Sequence, residues 1–227
     1  MRRVLIYGIL ILGAVGFVYP FLWMVSATFA PEKELGNLVL LPSHFTLESY
    51  RQVFARIPIL RALFNSLLVA LSVTAAVLVF SSMVGYALSR MQFRGRNVIF
   101  YIIIFTMTLP FQITLIPQYI LMVKFGWVDT YLALIVPYAL NAFAILMFRQ
   151  YFMSIPQDLI DAARIDGCGE LQILFRILWP NSVPALVTVG IISFMHSWNE
   201  VLWPLIVIRK EELMTMPQLV TLFVVGG

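Results

Sequence analysis

Long apolar runs separated by short polar ones dominate the chain. Five runs stand out: Val4–Ala27, Ala62–Leu88, Val98–Val123, Thr130–Phe148 and Ser182–Ile208. A helix needs about 20 apolar residues to cross a bilayer core of about 30 Å. Each run reaches that length or comes within a residue of it. The pattern predicts an all-α fold, a polytopic transmembrane helical bundle with residues 1–227 as one domain. The first run is too long for a signal peptide, whose apolar region is usually about 7–15 residues. Pro31 also follows the only suitable small-residue site, Ala30, so the run reads as a retained anchor.

Composition agrees with the pattern. The chain of 227 residues is 61% hydrophobic and 11% charged, against about 45–50% and about 25% in soluble domains. A single aqueous core of this size cannot hide so much apolar surface. The net charge of +4 is scattered and gives no nucleic-acid footprint. One cysteine, Cys168, excludes an intramolecular disulfide framework and reads as a small apolar residue.

Lys and Arg should be richer on the cytoplasmic side. With the N-terminus inside, eight basic residues lie inside and seven outside, a near tie. The cluster in Ser89–Asn97 and the Arg2-Arg3 pair tip the reading toward N-inside. Prolines recur in the runs at 20, 110, 117, 137, 184 and 204. Each removes a backbone donor that lipid cannot replace, so the helices either carry ordinary kinks or bend around a cavity.

In the fifth run His196 and Glu200 are four apart and would share a helix face, with Trp198 and Asn199 between them. A carboxylate at helix centre costs about 2.5–3.5 kcal/mol, which the surrounding Leu, Ile, Val and Phe residues can offset. Glu200 must then face protein or water. The pair also has the spacing of a helical metal pair, but no further ligands accompany it and no metal is expected. Asn199, Glu200 and Tyr138 are the candidate translocation-pathway residues. Tyr138, Phe143 and Trp203 could stack on a ring-shaped solute or simply pack between helices.

The segment Arg149–Asn181 is too polar for lipid and too patterned for a loose loop. Ser154 with Gln157 has the form of a capping box, and Pro156 suits a first turn. Asp158 and Asp161 favour the positive helix end. Gly167-Cys168-Gly169 would end that helix. A second helix, Glu170–Trp179, would follow, stop at Pro180, and carry Leu171, Leu174, Phe175 and Leu178 on one apolar stripe. Ala162 and Ala163 leave little bulk, so another surface can approach. The segment reads as a rigid docking knob.

Asp161-Ala162-Ala163, three residues, Gly167, nine residues, Ile177, one residue, Trp179-Pro180 resembles the EAA loop of ABC importer permeases. Asp161 stands for Glu and Trp179 for Leu. Ile155-Pro156, Arg164-Ile165-Asp166-Gly167, Ser197-Trp198-Asn199-Glu200 and Tyr86-Ala87-Leu88-Ser89-Arg90 resemble the carbohydrate-uptake branch, which includes maltose and glycerol-phosphate permeases. The resemblance implies a bacterial cytoplasmic-membrane permease for a sugar or related polar solute. Its implied partners are a second homologous permease, two ATP-binding subunits and a periplasmic or lipid-anchored solute-binding protein. Asp161, Ala162, Ala163, Asp166, Gly167, Ile177 and Pro180 would form the ATPase-coupling loop.

This chain has no Gly-Lys dipeptide for a phosphate-cradling loop, so it should bind no cofactor, and ATP with Mg should sit on partners. Branch members usually have six spans; here the sixth is expected to be missing beyond Gly226-Gly227. An ion-coupled secondary transporter using Glu200 is the alternative. A membrane enzyme lacks a convincing constellation among His44, His196 and Cys168. The segment Thr28–Arg61, with Glu32, Lys33, Glu34, Glu48, Arg51 and Arg56, reads as a solvated loop or as a docking surface for the binding protein.

Overall fold

The computed structural model describes residues 2–34 and 41–226, without the side chains of residues 2, 4, 5, 32 and 224–226. The Arg2 and Glu32 side chains and Gly227, invoked above, lie outside the described residues. The chain forms two compact units, 1–59 and 60–227.

In the first unit, α1 (Arg2–Ala27) carries the first apolar run through Pro20 without a break. Its large apolar side chains, Phe17 and Leu12 among them, are exposed on every side, as a helix designed for hydrocarbon requires. The segment after it is more than a solvated loop. Thr46 N donates to Phe29 O, and Tyr50 Oη on α2 (Glu48–Arg56) donates to Thr28 Oγ1 at 3.0 Å. The Phe29 ring lies 6.3 Å from Phe45 and 5.8 Å from Tyr50. Glu34 accepts from both the backbone and the hydroxyl of Ser43.

The second unit is built on α3 (Ile59–Arg90), which extends the second run at both ends. Among the described residues, α1 and α3 are long and apolar enough to cross a membrane unaided, and three bent helix pairs raise the number to five if each pair is one span. The third run is not one helix. α4 (Arg96–Thr106) and α5 (Phe111–Phe125) meet at 104°. Pro110 has no N–H to continue the ladder, and its ring pushes Leu109 out of helical geometry. The fourth run breaks by 42° between α6 (Tyr131–Ile135), with its 3-10 turn Val136–Tyr138, and α7 (Ala142–Ser154). Asn141 caps α7 by accepting from Ala144 N at 3.0 Å.

The fifth run is also interrupted. After the short α8 (Gln157–Ile165) and the segment Glu170–Asn181, α11 (Val183–Trp198) rises and ends before Asn199. The chain resumes as α12 (Leu202–Val207) and α13 (Met216–Gly226). A continuous helix would need a Pro204 N–H to reach the Glu200 carbonyl, and proline has none. Glu200 is therefore neither at a helix centre nor on a helical face shared with His196.

Phe148, Phe152, Ile160, Ile173, Leu174, Leu178 and Trp203 are fully buried in the core. α3 crosses α7 closely at Gly85, where a Cβ would lie 2.8 Å from Phe148 Cβ and 3.1 Å from Arg149 N. Only glycine fits there. Both ends of α3 are held by polar ties. At the Ile59 end, Asn65 Nδ2 donates to Glu212 O and Met214 O, and Asn65 Oδ1 accepts from Tyr131 Oη. Ser66 Oγ accepts from Met216 N. Contacts at the Arg90 end bear on the site below.

Candidate functional site

α8 is a two-turn helix with one inward and one outward face. Ile160 and Ala163 are buried; Leu159, Asp161, Ala162, Ile165 and Asp166 are exposed. Ile165 is 87% exposed, the form of a contact residue awaiting a partner rather than a core one. Ala163 thus packs inward and does not thin the outer surface, correcting the expectation that both alanines face out. The capping box is absent too. Ser154 is the last residue of α7 and donates to Tyr151 O, while Pro156 holds the N-cap position without a side-chain cap. The proline after Ile155 forces extended backbone there, which separates Ser154 from α8.

The end of α8 follows the sequence reading. Gly167 takes φ +81°, left-handed backbone that favours glycine. Its N–H donates to Arg164 O, and Cys168 N donates to Ala163 O at 2.9 Å. These two bonds are a Schellman closure, which satisfies carbonyls the helix end would otherwise leave open.

Two residues of α3 hold this elbow. Arg90 donates to the carbonyls of Phe152 and Ile155 and to Gln157 Oε1, spanning the end of α7 and the start of α8. Tyr86 donates to Glu170 Oε2. Glu170 in turn accepts from Arg164 Nε at 3.2 Å. Arg164 and Glu170 are well exposed, so the ion pair itself contributes little, about 0–1 kcal/mol. Its effect is geometric: α3, α8 and the following segment share one carboxylate. Arg149 adds a tie to Leu88 O and lies 4.0 Å over the Phe100 ring. Sequence reasoning missed the roles of Tyr86, Arg90 and Glu170, although the polar pair closing an apolar span was a visible signal.

The second half of the elbow differs from the predicted amphipathic helix. It comprises α9 (Glu170–Gln172), a π turn over Ile173–Leu178, and α10 (Trp179–Asn181). The wider turn shifts the buried stripe to Ile173, Leu174 and Leu178, leaving Leu171 and Phe175 exposed. Ile177 is half-buried, and the exposed Pro180 lies one residue before the helical segment ends at Asn181. Trp179 Nε1 donates to Ser82 Oγ at 3.0 Å. The chain then turns by 89° into α11.

The candidate pathway residues divide. Tyr138 and Glu200 line one small cavity. Asn199 does not line it: its side chain donates to Met195 O and lies exposed. Glu200 Oε1 accepts from Trp203 N at 3.1 Å and so caps α12. Trp203 is fully buried with its indole N–H on Ala133 O, which leaves it a packing residue. Phe143 does not line the cavity either. Across the loops at the Ile59 end, Asp129 takes φ +58° and accepts from the backbone N–H groups of Arg209 and Lys210 at 2.5 and 3.0 Å. These bonds hold its carboxyl below the usual aspartate range. Among the described residues no group of three metal-ligating side chains comes together.

Residues 78–224 match the family described as binding-protein-dependent transport system inner membrane component. The chain is 38% identical over 205 residues to the arabinooligosaccharides transport system permease AraQ of Halalkalibacterium halodurans, covering 88% of this chain and 74% of that one. It is 36% identical over 197 residues to the polygalacturonan/rhamnogalacturonan transport system permease YtcP of Bacillus subtilis, covering 86% and 68%. The crystal structure of a bacterial ABC transporter involved in import of the acidic polysaccharide alginate superposes with a TM-score of 0.84 at 30% identity. That match covers 97% of this chain and 79% of the other.

Proposed function

The chain belongs to the family of binding-protein-dependent transport inner-membrane components, and from that premise we propose how it moves a solute. It is the transmembrane permease of an ATP-binding-cassette importer for a sugar or related small polar solute. α8, with Asp161, Ala162 and Ile165 outward, seats in a groove of a separate ATPase. A second homologous permease, two ATP-binding subunits and a periplasmic or lipid-anchored binding protein complete the importer. ATP and Mg reside on the partners. The N-terminus lies in the cytoplasm, placing the Arg90 end of α3 and the elbow at the inner surface of the bacterial cytoplasmic membrane. Tyr138 and Glu200 border the path of the solute, and Asn199 lies beside it.

One observation carries the reading: a rigid, partly apolar knob, exposed in this chain, is bonded through Tyr86 and Arg90 directly to a membrane-spanning helix. Nothing exposed at Ile165 is needed by this chain alone, whereas a force-transmitting contact needs both exposure and rigid attachment. Rocking of such packed units between two arrangements gives alternating access. The ion-coupled alternative gains no support, since Glu200 already serves as a helix cap. The test is Ala162→Trp beside Ile165→Cys, the latter in a Cys168→Ser background, in intact membranes. The cysteine at 165 should cross-link to an ATPase subunit, and the tryptophan should lower ATP-driven uptake at least tenfold while the chain stays in the membrane. Absence of both effects would remove the coupling role.

A further inference from the structure

The cavity shared by Tyr138 and Glu200 has more polar groups than the protein uses. Its polar wall is Tyr138, His196, Ser197, Glu200 and Thr215, backed by Trp203. Tyr138 Oη and Thr215 Oγ1 are buried without a hydrogen-bond partner, and Thr215 is only 5% exposed. Buried hydroxyls are nearly always satisfied by protein, water or ligand, so two orphans on residues that line one cavity call for an occupant. The cavity measures about 10 Å³, the room of one water molecule or one solute hydroxyl.

The recess also sits where a solute can reach it. His196 is exposed and Glu200 half-buried, beside the unwound backbone between α11 and α12. Unwound backbone and a carboxylate at membrane depth are tolerated only against protein or a water-filled path. Val69, ten residues into α3, also lines the cavity, which puts the recess about 15 Å along that helix and well inside its length.

The charge of the wall selects the occupant. No Lys or Arg lines the cavity, and Glu200 has no ion pair among the described residues. A carboxylate or phosphate entering here would meet the Glu200 charge with nothing to offset it. A neutral sugar hydroxyl instead finds complementary partners: it donates to the carboxylate and accepts from the Tyr138 and Thr215 hydroxyls. We infer that this recess binds one hydroxyl of a neutral glycoside during passage and that its wall disfavours uronates and phosphate esters. The inference rests on the permease reading above and narrows the solute class within it.

The intact importer with its binding protein, reconstituted in proteoliposomes, provides the test, using arabinotriose and trigalacturonate as size-matched neutral and acidic probes. Uptake of arabinotriose should exceed that of trigalacturonate at least tenfold. Tyr138→Phe combined with Thr215→Val should cut arabinotriose moved per ATP at least fivefold. Glu200→Gln keeps an oxygen to cap α12 and should raise the acidic-to-neutral uptake ratio at least threefold. Preference for trigalacturonate, uptake of neither probe, or a double variant with unchanged solute per ATP would overturn the inference; the last outcome would mark a resident water only. Should no ATPase co-purify with the chain, the permease reading itself falls, a distinct result.

Discussion

At the scale of single residues, several side chains act by closing backbone that its own sequence breaks open. Pro204 interrupts the fifth apolar run, and Glu200, four residues earlier, turns from a buried liability into the cap of the helix that Pro204 allows. Asp129 does the same between loops, accepting two amides from a left-handed conformation that Asp tolerates better than most residues. Because its folded pKa is lowered, its contribution is fully present above the ordinary aspartate value. It is lost only as pH falls through the lower folded one. Hydrogen exchange at the Arg209 and Lys210 amides should therefore stay slow from neutral pH down to about pH 4 and quicken below it. Asp129→Ala should quicken it above about pH 4, by roughly tenfold for about 1.5 kcal/mol of hydrogen bonding lost, and the two proteins should converge at lower pH. These partnerships could not be read from the chain, since Asp129 and Arg209 are 80 residues apart and no periodicity links them.

At the scale of elements, the elbow is a small assembly with its stiffness in the hydrogen bonds, not in helix length. α8 alone is far shorter than the 12–15 residues or so an isolated helix needs in water, so the Schellman turn, Arg90 and Glu170 must hold its direction. Arg90→Leu and Glu170→Gln should leave the chain in the membrane and ATP turnover within about twofold. Solute moved per ATP should fall severalfold, because a loosened knob still occupies its groove but no longer pulls α3. An unchanged transport-to-ATP ratio would refute that role. The sequence showed the apolar runs, the Gly167 stop and the motif spacing, because each depends on residues close together in the chain. It marked Pro110, Pro137 and Pro204 as kinks but not the full breaks at 107–110, 139–141 and 199–201, because hydropathy averages over them. Nor did it show the π turn, whose extra width alters which of Leu171, Leu174 and Phe175 is buried without changing composition.

At the scale of the whole molecule, residues 60–227 form a bundle in which one long helix touches almost every functional element. α3 has Arg61 and Asn65 tied to the loop around Glu212 and Met214 at one end and Tyr86 with Arg90 gripping the elbow at the other. Its 32 residues make a rod of about 48 Å. A rod clamped at both tips does not bend a little here and a little there; tilted at one tip, it delivers the motion to the other. The loop bearing Thr215, and with it one wall of the recess, should then feel a push applied roughly 30–38 Å away. Softening the shaft ought to spoil that delivery while sparing both grips. Replacing Ala75-Ala76 with Gly-Gly costs about 1 kcal/mol of helix per site, and it should let the elbow move without the far loop following. Distance measurements between spin labels at the two tips, taken with and without ATP, would register the slack directly: correlated shifts in the parent chain, and a far tip standing still in the softened one.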